Sequence, residues 1–239
     1  MTEMFKQLNP EEPQRRVILL YGASGTGKTT LAAMAPGRQL FLIADPGNPV
    51  QSILGARQIG LVLNNQPLPL VAKLETYQQV TEALQALQTS PPSIDYLVID
   101  SVTYLQRLVM RNILQRIGRE QPRFEEWGLC QERLRNLLRM ISDFPWNIIY
   151  TATEDVIRDE LTGRLLGGPN LPGKLATELP QCCNIVARLF VKSSFNDKMQ
   201  KQINYFYQSA PDEMFIAKDV TNKLSKPEGL TKNFWKELS

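Results

Sequence analysis

Residues 18–29 read ILLYGASGTGKT: three aliphatic residues and a tyrosine, then three glycines within six positions, then a lysine and a threonine. The string fits G-x-x-x-x-G-K-[ST], and its flanks supply the context that the pattern needs. RVILLYG (16–22) is apolar enough to be a short buried strand, and TTLAAMA (29–35) opens a helix. Gly22, Gly25 and Gly27 let the backbone curl so that successive N–H groups point at phosphate oxygens, where side chains would obstruct the approach. Ala23, Ser24 and Thr26 complete the loop, and Thr30 follows in the first turn of the helix. Lys28 places a cation on the outer phosphates of a triphosphate, and the Thr29 hydroxyl takes a place on Mg²⁺. A plain glycine turn ahead of a helix gives no reason for a lysine and a threonine in that order. ATP with Mg²⁺ is the expected ligand.

A loop of this kind needs a second group to hold the metal, normally an acid at the end of a neighbouring strand. IDYLVIDS (94–101) supplies one: its apolar run, buried on both faces, ends on Asp100, at the carboxyl end where ligands of α/β sheets bind. Capping the next helix is the other role open to Asp100, and Ser101 is equally suited to it. The presence of the phosphate loop favours the metal.

The rest of the chain alternates strands with helices and then turns to strands alone. QLFLIAD (39–45) is an apolar strand followed by a Pro/Gly-rich turn, PGNP. YQQVTEALQALQ (77–88) places Val80, Leu84 and Leu87 on one helical face, and SPPS stops it. Leu105, Val109, Ile113 and Ile117 mark one further helix; Cys130, Leu134, Leu137 and Ile141 mark another. WNIIYTATED (146–155) is a buried strand, and VIRDELTGRLLGG (156–168) reads as two extended arms around an LTGR turn. NIVARLFVK, QINYFYQS and EMFIAKD are strand-like runs in series. The expected fold is α/β: a mostly parallel central sheet flanked by helices, with antiparallel strands added at its C-terminal edge. Residues 16–239 are expected to form a single domain, preceded by a leader (1–15) whose Phe5 either docks on a neighbouring subunit or frays.

Composition narrows the chemistry. The 239 residues are 43% hydrophobic and 21% charged, as in a water-soluble globular protein. No apolar stretch approaches the roughly 20 residues of a membrane span, and the N-terminus lacks the layout of a signal peptide, so a cytoplasmic location is expected. There is no histidine, which removes Ser-His-Asp and Cys-His catalysis and the commonest zinc sites. Cys130, Cys182 and Cys183 lack paired metal-ligand spacing and read as core or surface thiols. The net charge of +3 is small, yet residues 107–139 hold eight arginines against four glutamates.

GASGTGKTT (22–30), YLVIDSVTYL (96–105) and IIYTATED (148–155) together resemble the ATPase core of the RecA family. The layout is similar to the small phage nucleotide-binding proteins that include the Sak-type single-strand annealing recombinases. DELTGRLLGGPNLPGKLATELPQCCNIVARL (159–189) and FIAKD (215–219) resemble that group's distal half. The resemblance covers roughly residues 16–225. It implies a homo-oligomer, a ring or filament, with ATP between subunits and loops that touch single-stranded DNA, acting in annealing or homologous recombination. A single-strand binding protein is a further expected partner. Lys28 and Thr29 would bind phosphate and metal, Asp100 would support Mg²⁺, and Glu154 would stand near the position that senses the γ-phosphate. Lys218 would reach a neighbour's phosphates. Relatives carry a glutamate that orients the attacking water two residues after an acid; here Asp45 is present and Gly47 stands in the glutamate's place. Either Asp45 or Glu154 does that work, or hydrolysis is slow and ATP serves assembly. Val220, where relatives often carry arginine, weakens a charge clamp between subunits.

The DNA-facing loops of that fold correspond to RIGREQPRFEEWG (116–128) and DVIRDELTGRLLGGPNLPGK (155–174). Arg116, Arg119 and Arg123 would neutralise phosphates while Phe124 and Trp127 stack bases, and Arg158, Arg164 and Lys174 would add charge. A solvated, salt-bridged helix face for the arginines, with core packing for the two aromatics, is the competing reading. Two other functions stay open: a small-molecule phosphotransferase, although residues 31–70 hold only Arg38 and Arg57 to build a lid, and a nucleotide-dependent scaffold or loader.

Overall fold

Strand β1 (Val17–Gly22) is buried along its whole length, and its side chains divide by parity. Val17, Leu19 and Tyr21 join one apolar cluster, while Ile18 and Leu20 join a second. A strand alternates its side chains between faces, so a strand buried on both requires a layer of helices on each side. The computed structural model describes residues 14–47, 49–58, 61, 66–158, 160, 163–195 and 200–239.

The remaining strands are β2 (Gln39–Ile43), β3 (Leu70–Lys73), β4 (Tyr96–Asp100), β5 (Asn147–Arg158), β6 (Leu165–Pro169), β7 (Ile185–Phe195), β8 (Lys201–Gln208), β9 (Lys218–Asp219) and β10 (Glu228–Leu230). They run in the order β10-β8-β7-β1-β5-β4-β2-β3, with β6 paired to β5 and β9 to β7. From β7 to β3 every pairing is parallel. The additions β6, β8, β9 and β10 are all antiparallel. This is the expected sheet.

Helices α3 (Tyr77–Thr89), α4 (Val102–Ile117), α5 (Phe124–Ser142) and α6 (Leu175–Cys182) cover one face. Helices α1 (Lys28–Ala33), α2 (Pro49–Gln58) and α7 (Phe234–Leu238) cover the other. The predicted Val80, Leu84 and Leu87 are the buried residues of α3, each stabilising by about 1.5–3 kcal/mol. Its start is a capping box, in which Thr76 accepts from the Gln79 amide while the Gln79 side chain takes the Thr76 amide.

Three segments depart from the reading of the sequence. Pro49 begins α2, because proline at a helix's first position costs no hydrogen bond. Only Ile53 and Ala56 of that helix are buried, so its periodicity is faint. The four-residue strand β3 alternates between half-buried and exposed at the sheet edge. EMFIAKD forms a strand only at Lys218–Asp219, since the Asp212 carboxylate takes the amides of Met214 (2.8 Å) and Phe215 (2.6 Å) and turns the chain there.

Register sets the functional end. Gly22 lies opposite Thr153, and Ile43 opposite Asp100. The glycine loop, the chain after β2, Asp100 and the middle of β5 therefore meet at the carboxyl end of the parallel sheet. The leader, with Phe5, lies outside the described residues as far as residue 13.

Candidate nucleotide site

The loop after β1 is built around positions that only glycine can fill. A Cβ on Gly22 would collide with the backbone carbonyl oxygen of Leu189, and Gly27 sits at φ 85°, the left-handed region that disfavours side chains. Thr26 is buried, and its hydroxyl donates to the Ala23 carbonyl at 2.8 Å, tying the loop across its base. The Lys28 ammonium folds over the loop and donates to the carbonyls of Gly22 (2.9 Å) and Ala23 (2.8 Å). Burial pushes the Lys28 pKa down, against the opposing pull of Asp100, Asp45 and Glu154.

Asp100 is only 3% exposed, and hydroxyls occupy both its oxygens: Thr29 donates to Oδ2 at 2.8 Å and Thr151 to Oδ1 at 2.6 Å. Burial drives its pKa up, and the two hydroxyls restrain the rise. Thr29 and Asp100, the two residues expected at the metal, thus stand within hydrogen-bond distance of each other. The next helix, α4, is capped by Ser101 instead, whose side chain accepts from the Tyr104 amide. Sequence reasoning misses Thr151; a hydroxyl within the otherwise apolar IIYTA run is its one signal.

The two carboxylates considered for the attacking water are placed differently. Asp45 and Gly47 both line the cavity above the loop, and Asp45 Oδ1 accepts from the Gly47 amide at 2.8 Å. Glu154 forms a two-point pair with Arg188, Nε to Oε2 at 2.5 Å and Nη2 to Oε1 at 3.3 Å, and both side chains are largely buried. The Arg188 guanidinium lies 3.3 Å from the centre of the Phe215 ring. It is Thr153, not Glu154, that faces the cavity.

That cavity measures about 740 Å³, within the usual range for small-molecule sites. Ser24, Gly25, Gly27, Lys28, Thr29 and Thr30 form one end. Ile203 and Tyr205 of β8, Leu230, Thr231 and Lys232 form another wall that sequence reasoning does not assign. A bare cradle at Gly25, where an added Cβ would meet nothing within 4 Å, and an oxygen donor pair at Thr29 and Asp100 fit a triphosphate and Mg²⁺. Tyr205, half-exposed beside Gly27, offers an aromatic surface for a base.

Lys218 is distant from this end: β9 pairs with the start of β7, Val186 opposite Lys218, and the Lys218 ammonium donates to the Gln181 carbonyl at 3.1 Å. It does not line its own chain's cavity. In the first segment that the resemblance leads one to expect on DNA, residues 116–128, Phe124 is 93% and Trp127 42% exposed, so neither is a core residue. Arg116 and Arg123 are not core residues either, Arg116 being exposed and Arg123 standing at the start of α5. Arg119 is engaged, donating to Glu126 Oε1 at 2.7 Å while Glu126 Oε2 accepts the Arg123 amide at 2.6 Å. In the second segment β5 and β6 form the expected two-armed hairpin, with Arg158 donating to the Gly163 carbonyl at 3.3 Å. Arg164 is exposed on it, and exposed Lys174 precedes α6.

Among the described residues no three acidic, cysteine or histidine side chains gather as a metal cage, and no helix is long and apolar enough to cross a membrane. Cys130 and Cys183 are buried, which pushes their thiols up to about 11 and about 12; Cys182 is exposed.

Residues 14–221 match the sequence model of the AAA domain family. No match to a curated protein was found. Among solved structures, the chain is similar to a prototypical ATPase from the type III secretion system of pathogenic bacteria, at 19% identity and TM-score 0.47, over 73% of this chain and 52% of that one. The chain thus spans about half the length of that ATPase. It is also similar to a KaiC-like protein from the hyperthermophilic archaeon Pyrococcus horikoshii OT3, at 13% identity and TM-score 0.42, over 82% of this chain and 78% of that one.

Proposed function

The chain belongs to the AAA domain family, and from that premise we propose that it is a RecA-like, Mg²⁺-dependent ATP-binding protein that hydrolyses ATP slowly and assembles on single-stranded DNA. The observation that carries the nucleotide reading is the pairing of Thr29 with a buried Asp100 directly beside the Lys28 loop. The loop amides and Lys28 hold the phosphates, Thr29 and Asp100 hold Mg²⁺, and the metal neutralises charge on the phosphate oxygens. Tyr205 and Ile203 bound the space for the base. Slow hydrolysis follows from the carboxylates: Gly47 has no side chain to orient water, Glu154 is held by Arg188, and Asp45 has one oxygen committed to the Gly47 amide. Asp45 is the acid left to position water.

The single-strand reading rests on Phe124 and Trp127 standing exposed near Arg116 and Arg123, the combination that stacks unpaired bases and neutralises phosphates. Assembly as a ring or filament, with Lys218 acting across a subunit boundary, and a role in annealing for recombination like that of the Sak-type phage group follow from the resemblance in sequence. The engaged Glu154 also suits a nucleotide-dependent scaffold or loader, in which ATP is an assembly ligand. Steady-state hydrolysis tests the proposal: turnover is expected below about 10 per second, the median for enzymes, and to respond to single-stranded DNA. Faster turnover, or a response to a nucleoside monophosphate instead, would reject it.

A further inference from the structure

A second cavity, of about 400 Å³, lies between α4 and the start of α5, outside the nucleotide site. Met110 and Leu114 line it together with Arg107, Arg111, Arg119 and Trp127, and Glu120 is the one carboxylate among its lining residues, against three arginines. Arg107 and Arg111 stand one helical turn apart and are exposed, and among the described residues neither has a carboxylate at ion-pair distance. The site is nonetheless fixed. The Arg107 guanidinium lies 4.5 Å from the centre of the Tyr104 ring, and the Arg119–Glu126 pair ties the α4–α5 connection to the first turn of α5, which carries Trp127. Met110 is buried and Leu114 half-buried, so the cavity has an apolar part, an aromatic side and, at Arg107 and Arg111, two cations outside any ion pair among the described residues.

We propose that this cleft seats one nucleotide of a single strand, its base against Trp127 and the Met110–Leu114 surface and its phosphate across Arg107 and Arg111. Guanidinium groups match phosphate oxygens in a planar, two-point geometry, and a flat unpaired base is the partner for an indole beside an apolar surface. A duplex hides its base faces, and an acidic peptide carries nothing for the indole to stack on. The proposal rests on the single-strand reading above and extends it to Arg107 and Arg111, which lie outside both loop segments.

The test is a titration of the full chain with oligothymidylate, at several salt concentrations, followed by tryptophan fluorescence and anisotropy. Parent, Arg107→Gln/Arg111→Gln, Trp127→Phe and Arg116→Gln/Arg123→Gln proteins are compared, with circular dichroism confirming that each is folded. The strand is expected to quench the parent, and the Arg107/Arg111 variant to bind at least about tenfold more weakly, with a salt slope shallower by about one for each phosphate that is no longer neutralised. Trp127→Phe is expected to abolish most of the quenching, since Trp235 is buried and Trp146 half-buried. Parental affinity and slope in the Arg107/Arg111 variant would overturn the cleft. If Arg116→Gln/Arg123→Gln still weakened binding, the single-strand reading would stand without it. No strand binding by any form would defeat both, and displacement of the strand by a glutamate-rich peptide at matched charge would overturn the nucleotide assignment.

Discussion

Asp100 shows how a residue proposed to hold Mg²⁺ sets that role against the stability of the fold. A carboxylate with almost no solvent and two hydroxyl donors is costly as an ion, and its pKa is raised by burial accordingly. A folded-state value above the unfolded one means that the ionised form costs stability at neutral pH, and that the cost fades as pH falls through the folded value. Asn at this position carries no charge and bonds both threonines once one hydroxyl turns to accept from its Nδ2 amide instead of donating. Asp100→Asn is therefore expected to melt higher than the parent at pH 7 without ligand, with an advantage that shrinks in acid, and to lose the melting shift that Mg²⁺ and ATP give the parent. Scanning calorimetry across pH, with and without ligand, measures both; a lower melting point together with an intact ligand shift would contradict the assignment. The same scale explains Glu154. The sequence places it just after the core strand, whereas it lies within the longer β5, and its partner Arg188 is 34 residues away on β7, a strand that joins β5 only through β1.

Among the elements, the α4–α5 connection departs most from its appearance in sequence. Eight arginines over 107–139 look alike as a charge run, yet the fold separates them into different roles. Arg119 braces Glu126, Arg135 makes a two-point pair with Glu178 of α6, and Arg107 stacks on Tyr104. Glu126 closes the start of α5 by accepting the Arg123 amide, so Arg119 is in the first place a brace for a helix end. Glu126→Ala and Arg119→Ala are each expected to lower the melting temperature, and the double variant to lose less than the sum, because both remove one unit. Additive losses would show that the two act separately. The elements legible in sequence are those with strong periodicity, continuous apolar runs or a clear turn between extended arms: β1, β2, β4, β5, β6, β7, β8, α1, α3, α4 and α5. The rest is decided by tertiary neighbours. Helix α2 buries two side chains, β3 has four residues, and the 213–217 segment is turned by Asp212 despite its apolar content.

For the whole molecule, the strand order places Asp100 two strands from the glycine loop, with β5 between them, and Thr151 of that strand completes the site. The phosphate cradle is readable because its residues are contiguous. The wall built from β8 and the chain after β10 is not, because Tyr205 and Lys232 come to Lys28 only through the antiparallel strands at the sheet's edge. Those strands convert a phosphate loop into a cavity large enough for a whole nucleotide. The central claim is that Lys28 and the loop amides hold a triphosphate with Mg²⁺. Isothermal titration of ATP into the parent and the Lys28→Ala protein, in the presence of magnesium, tests it most directly. Saturable binding by the parent, weakened at least about tenfold by the substitution as expected for loss of a charged hydrogen-bonding group, is the predicted result. Absence of binding by the parent, or equal affinity in the two proteins, would contradict it.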